Sequence, residues 1–271
     1  MAPRASRFWL WTAPLVVGVG AALLFAAGFV LALRGDAGRP LGGNPPAAAA
    51  PRPARVPRDG TLRILVVGDS LARGTGDESG KGFAVNVLEG LRKRGPAELT
   101  NLAVNGMESP EVLELVRSPN VRALAADAGL ILVSVAGNDL SHSVTRGSAP
   151  IAAADAVAGA RERYTANLRE ILTTLREANP SAPICVLGLY DPFEAPRPFE
   201  GPGDDARARL GASVILQWNT LIAETSLSFP NVTVIPTFDL FQGRSDRLSA
   251  DHYHPNARAY EEIARRILQV V

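Results

Sequence analysis

One cysteine, Cys185, serves the whole chain of 271 residues. It can form no disulfide within the chain, and a zinc site built on several cysteines is excluded with it. Set in the apolar run Ile184-Cys185-Val186-Leu187, it reads as a small buried hydrophobe and not as a reactive thiol. An excess of one charge is also lacking: 28 Lys and Arg face 27 Asp and Glu, for a formal net charge of +1. The arginines are scattered singly, so neither a field nor a basic stripe is present to draw nucleic acid. No phosphate-binding loop of the form G-x-x-x-x-G-K-[ST] occurs. The closest stretch, Gly74-Thr75-Gly76-Asp77-Glu78-Ser79-Gly80-Lys81-Gly82, puts glycine after its lysine. That rules out nucleotide binding by this route and leaves a flexible entry to a helix. There is no internal repeat.

What is present falls into three parts. Residues 8–33 carry no charge, a run long enough to cross a bilayer with some tilt. Trp9 and Trp11 stand at its start, where an interfacial aromatic belt belongs. The run exceeds the apolar core of a cleaved signal peptide, and Leu31-Ala32-Leu33-Arg34 is a poor cleavage site. No cysteine follows for lipid attachment. The expectation is an uncleaved transmembrane signal-anchor over residues 1–34, making the membrane a partner. Arginines flank it on both sides, so the positive-inside rule does not fix its orientation. The short N-terminal tail favours a domain held outside the membrane, in the cell envelope. Residues 35–60, rich in Pro, Ala and Gly, cannot bury a core and read as a semi-extended spacer. Residues 61–271 remain for one domain of ordinary size.

In that domain apolar runs at 62–67, 99–104, 130–135, 184–189 and 232–235 alternate with helical patterns at 83–94, 153–178, 210–226 and 257–271. The alternation predicts an α/β fold, a five-stranded parallel sheet covered on both faces as a flavodoxin-like three-layer α/β/α sandwich. Segments 141–152 and 190–208 do not fit the minimal pattern. Both leave the carboxyl edge of the sheet, where ligands bind in such folds. The second carries Phe193 and Phe199, which suit an apolar wall as well as they suit a surface insertion.

Three segments carry chemistry. The run 62–67 ends abruptly at Gly68-Asp69-Ser70-Leu71, which places a serine on the turn where a buried strand gives out. Another buried run closes at Gly137-Asn138-Asp139, and near the C-terminus stands Asp251-His252-Tyr253-His254-Pro255. Nucleophilic acyl transfer needs a serine to attack, a histidine to take its proton, a carboxylate to orient the imidazole and an amide to steady the oxyanion. Asp251-x-x-His254 spacing can set both side chains on one side of a turn, which favours His254 as the base over its rival, the adjacent His252. Each piece also has an ordinary reading. Gly-Asp-Ser serves as a turn, Asn138 as a helix cap, and Asp251 to His254 as a polar helix start. One Asp and two His, with His142, could hold zinc, yet their spacing matches no usual zinc site. Asp69 and Asp139 read as residues that tie down turns.

Together with Asn101-Leu102-Ala103-Val104-Asn105-Gly106, these segments resemble the four blocks of the SGNH (GDSL) hydrolase superfamily, at Ser70, Gly106, Asn138 and His254. The resemblance runs from residue 62 to the C-terminus in order and approximate spacing, and is similar to membrane-anchored bacterial lipase/acylhydrolase-like members. It implies strand order 2-1-3-4-5, a Ser70–His254–Asp251 triad and no metal or cofactor. It also implies an oxyanion hole from the Ser70 and Gly106 N–H groups with the Asn138 amide. The expected activity is a serine esterase cleaving acyl or acetyl esters of lipid or envelope glycan. Two alternatives stand beside it: an envelope glycan O-acyltransferase on the same site, or a catalytically silent, tethered glycan- or lipid-binding module.

Overall fold

The computed structural model describes residues 60–146, 150–192 and 204–271, with side chains between 144 and 156 and between 193 and 210 left aside. The charge-free run 8–33, the spacer before Gly60, and Phe193 and Phe199 lie outside the described residues. Among the described residues no helix is long and apolar enough to cross a membrane.

Five parallel strands form one sheet in the order β2-β1-β3-β4-β5. They are β1 (Leu62–Gly68), β2 (Ala97–Asn101), β3 (Leu130–Ser134), β4 (Ile184–Leu187) and β5 (Val232–Ile235). Strands β1 and β3 sit at the centre, and their pairing runs from Ile64 opposite Leu130 to Gly68 opposite Ser134. Side-chain alternation sends Leu62, Ile64, Val66, Leu130, Leu132, Cys185 and Leu187 to one face. Leu65, Val67, Ile131, Val133, Ile184 and Val186 go to the other. Two separate cores result, as a sheet covered on both faces requires. On the first face α2 (Gly82–Arg92) supplies Phe83 and Val87, the short α8 (Phe238–Phe241) supplies Leu240 and Phe241, and α9 (Ala257–Leu268) supplies Tyr260, Ile263 and Ile267. On the second lie α3 (Ser109–Arg117), α4 (Pro119–Asp127), α6 (Pro150–Ala178) and α7 (Asp204–Leu227), with Tyr164 and Trp218 in ring contact, 5.1 Å between centroids. The three-layer sandwich is as the alternation of strands and helices predicts, and the strand order is as the resemblance implies.

Several boundaries differ from expectation, each for a local reason. Strand β2 starts two residues early, at Ala97, and ends at Asn101 instead of at 104. There the Asn101 side chain donates to the Ala72 carbonyl and accepts from the Ala103 N–H, which turns the chain off the sheet. Strand β4 stops at Leu187, because the Asn219 amide from α7 takes over both backbone groups of Leu189, at 2.7 and 2.9 Å. Segment 141–152, expected to be irregular, is largely helical: α5 spans Gly137–Arg146 and α6 begins at Pro150. Helices α3 and α4 fill the stretch between β2 and β3, where the sequence pattern names no element. A capping box between Glu108 and Glu111 starts α3, and each of the two helices has a proline in its first turn.

Candidate active site

Strand β1 delivers Ser70 to the carboxyl edge of the sheet as the first residue of a single-turn helix, α1 (Ser70–Arg73). Asp69 caps that turn by accepting from Leu71 N–H at 3.1 Å, and it also accepts from Ser134 Oγ of β3 at 2.9 Å. The serine is therefore held from two strands. Burial pushes the Asp69 carboxyl up to about 6, with the Ser134 hydrogen bond opposing.

The segment ahead of α9 brings the remaining groups. His254 Nε2 lies 2.9 Å from Ser70 Oγ, and His254 Nδ1 lies 2.7 Å from Asp251 Oδ2. His252 is exposed, with φ +55°, and does not share this line. The second Asp251 oxygen accepts three more hydrogen bonds, from Ser249 Oγ at 2.7 Å, Tyr253 N–H at 2.9 Å and His254 N–H at 2.8 Å. Partial burial would raise this carboxyl, but the bonds from Ser249, His254 and Tyr253 outweigh it and hold it well below the usual carboxylate range. Asp251 is thus a fixed anion facing the imidazole. Ser249 is not singled out by the sequence, although Ser-x-Asp followed by a donor two residues on is the pattern of a tight side-chain-capped turn.

Behind the histidine stands Gly76. A Cβ built there would meet His254 Cβ at 2.6 Å and the Pro255 carbonyl at 2.8 Å, and the glycine has φ +91°. Tyr260 Oη donates to the Thr75 carbonyl at 2.7 Å, and Asp77 accepts from the N–H groups of Ser79 and Gly82, both at 2.7 Å. The glycine-rich segment is therefore a fastened backing for the imidazole, which corrects its reading as a flexible helix entry. Gly76→Ala is expected to lower kcat by about 10²-fold by displacing the ring. KM should change little, and steady-state kinetics on an aryl ester would show wild-type kcat if the backing were unimportant.

Asn138, on the first turn of α5, borders the same space as Ser70. Its amide donates to the Met107 carbonyl at 2.9 Å, which leaves its second N–H uncommitted to that bond. Gly106 lies between two tied points: Val104 N–H on the Gly68 carbonyl at 3.0 Å, and the Met107 carbonyl on Asn138. A Cβ at Gly106 would meet nothing within 4 Å. The glycine's φ of +85° lies in the left-handed region that favours glycine.

From Ser70 a cavity of about 390 Å³ runs under the carboxyl ends of β3 and β4 towards α7, within the ~300–1,000 Å³ common for small-molecule sites. Leu71, Val135, Leu189, Tyr190, Val214 and Ile215 make its wall predominantly apolar. Among the described residues no group of three or more His, Cys, Asp or Glu is placed to hold a metal ion. Cys185, buried in β4, has its thiol pushed up to about 12 by desolvation.

A parallel 2-1-3-4-5 sheet with a strand-end serine, an adjoining amide and an Asp-x-x-His loop at its carboxyl edge defines an SGNH-type carboxylic ester hydrolase. The chain belongs to the GDSL-like Lipase/Acylhydrolase family, whose pattern matches residues 66–262. It is 27% identical over 216 residues to the uncharacterized protein YpmR of Bacillus subtilis, covering 77% of this chain and 80% of that one. It is 26% identical to the spore germination lipase LipC of Bacillus licheniformis, over 76% of this chain and 95% of that one. Among solved structures it shares its fold with the lipase Lip_vut3 from a goat rumen metagenome. That likeness has a TM-score of 0.67 and 24% identity, and covers 77% of this chain and 97% of that one.

Proposed function

We propose that the protein is a serine acylhydrolase that takes the acyl group of its ester onto Ser70 and releases it to water. The observation that carries this reading is the continuous line Asp251–His254–Ser70, with contacts of 2.7 and 2.9 Å, opening directly onto an apolar cavity. His254 Nε2 accepts the Ser70 proton as Oγ attacks the carbonyl carbon, and Asp251 stabilises the imidazolium. The oxyanion is received by the N–H groups of Ser70 and Gly106 and by the uncommitted Asn138 N–H. Collapse returns the proton from His254 to the leaving alcohol. Water, deprotonated by the same histidine, then cleaves the acyl-enzyme.

The cavity favours an extended acyl chain over acetate. Burying a methylene contributes ~0.8 kcal/mol, so kcat/KM is expected to rise about fourfold per added CH2 until the cavity is filled. A series of nitrophenyl esters from acetate to decanoate measures this directly. A profile that peaks at acetate would sink the preference for lipid-like esters and return an acetylated glycan to first place. A related name points the same way, since LipC of Bacillus licheniformis is called a lipase.

The charge-free run 8–33 supports a further part of the proposal, a domain tethered to a membrane and facing the cell envelope. Recovery of the full-length protein in the soluble fraction after cell lysis would count against the tether.

A further inference from the structure

Beyond the groups that would touch the oxyanion, a second layer of contacts fixes where they stand. Three side chains at the start of α5, at positions i, i+1 and i+4, grip three consecutive residues that follow Gly106. Asn138 Nδ2 donates to the Met107 carbonyl at 2.9 Å. His142 Nδ1 lies 2.6 Å from Glu108 Oε1. Asp139 takes both donors of Ser109, the backbone N–H at 2.9 Å on Oδ2 and the hydroxyl at 2.5 Å on Oδ1. Asp139 is the innermost of the three, and Ser109 is fully buried, with Asn167 Nδ2 from α6 also donating to its hydroxyl at 3.0 Å.

From this arrangement we infer that Asp139 is a positioning residue of the oxyanion hole: by gripping Ser109 it sets the distance between the Gly106 N–H and the Asn138 amide. The inference rests on the proposed role of Gly106 and Asn138, which occupy opposite sides of the clamp. The carboxylate offers an acceptor oxygen to each Ser109 donor, whereas asparagine would turn an NH2 donor towards one of them. The carboxylate is held at a cost, because desolvation pushes it up to about 6, with the Ser109 bonds opposing. Glu108, whose charge adds to the rise, is the acidic neighbour brought by the opposing loop, and its contact with His142 closes the outer edge of the same clamp.

The test compares Asn138→Ala, Asp139→Asn and the double variant in the full-length protein, by kcat and KM on one aryl ester and by Tm. Asn138→Ala is expected to lose about 10²–10³ in kcat, the usual cost of one oxyanion donor. Asp139→Asn is expected to lose up to about 10² in kcat through misplacement, with KM within about twofold. Its Tm is expected to fall somewhat, because a buried Ser109 donor is left facing the amide NH2, so the kcat-against-KM split and the double variant carry the test. Since both act through one hole, the double variant should be no slower than Asn138→Ala by more than about threefold. Wild-type kcat in Asp139→Asn, or losses that multiply in the double variant, would overturn the inference while leaving the oxyanion hole standing. Wild-type kcat in Asn138→Ala would instead remove the hole itself. Should Asp139→Asn fail to fold, Ser109→Ala keeps the backbone contact and loses only the hydroxyl. It is expected to show a smaller kcat loss with the same lack of additivity, and multiplying losses there would overturn the inference equally.

Discussion

Ser70→Ala is expected to lower kcat for ester hydrolysis by about 10⁶-fold, the scale seen when the nucleophile of a serine–histidine pair is removed. The reason is geometric. His254 Nε2 lies 2.9 Å from Ser70 Oγ, and no other hydroxyl is hydrogen-bonded to that nitrogen among the described residues. Alanine leaves the imidazole with only water to activate. His254→Ala should cost about as much, because a serine without its base is nearly inert at neutral pH. The double variant should be hardly worse than either, since the two act as one unit. Fluorophosphonate labelling gives an independent check: the wild-type protein should be modified at Ser70 and Ser70→Ala not at all. Labelling that survives in Ser70→Ala would place the nucleophile elsewhere.

Asp251→Asn is expected to lower kcat by about 10⁴-fold with KM little changed, the order found when an orienting carboxylate becomes an amide. In this loop the substitution has no good orientation. Oδ1 accepts from Ser249 Oγ and from the backbone N–H groups of Tyr253 and His254, while Oδ2 faces His254 Nδ1. If the amide oxygen keeps the three donors, its NH2 faces Nδ1 and forces the tautomer that carries hydrogen on Nε2, which then cannot take the Ser70 proton. If the amide is reversed, its NH2 meets three donors. The same hydrogen bonds hold the Asp251 carboxyl, against its partial burial, well below the usual carboxylate range. The carboxylate therefore stays ionised at pH values where an ordinary aspartate gains its proton, so loss of activity in mild acid belongs to another group. Rates measured from pH 4 to pH 9 would refute the assignment if Asp251→Asn retained wild-type kcat at its optimum.

How much of this is legible in the sequence depends on whether the signal is local. The runs at 62–67 and 130–135 are continuously apolar because both faces of β1 and β3 are covered, and such runs declare themselves. Gly68-Asp69-Ser70 and Asp251-x-x-His254 are visible because each is confined to a few residues. Strand β2 ends at Asn101 and not at the expected 104: its apolar pattern continues past Asn101, and only the contact of that side chain with Ala72 ends the strand. Helices α3 and α4 establish no apolar period, because nine residues each offer too few apolar positions, and only their start residues mark them. The backing of His254 by Gly76 joins residues far apart in the chain, and no spacing rule announces such a contact. Asn219 and Tyr190 are hidden for the same reason. The first holds the end of β4 open; the second, through its hydroxyl, donates to the Tyr253 carbonyl at 2.9 Å beside the histidine.

Asp69 and Asp139, which anchor the serine turn and the helix beside it, give this domain an unusual proton balance. Each is raised by burial from 3.8 to about 6. Between those values the folded protein binds protons that the unfolded chain has already released, so these two groups favour the fold increasingly as pH falls from about 6 to about 4. Asp251 and Asp239 act in the opposite direction, for both are lowered in the folded protein and withdraw support only as acid reaches them. Through this opposition the two buried carboxylates draw the pH of greatest stability towards the acid side.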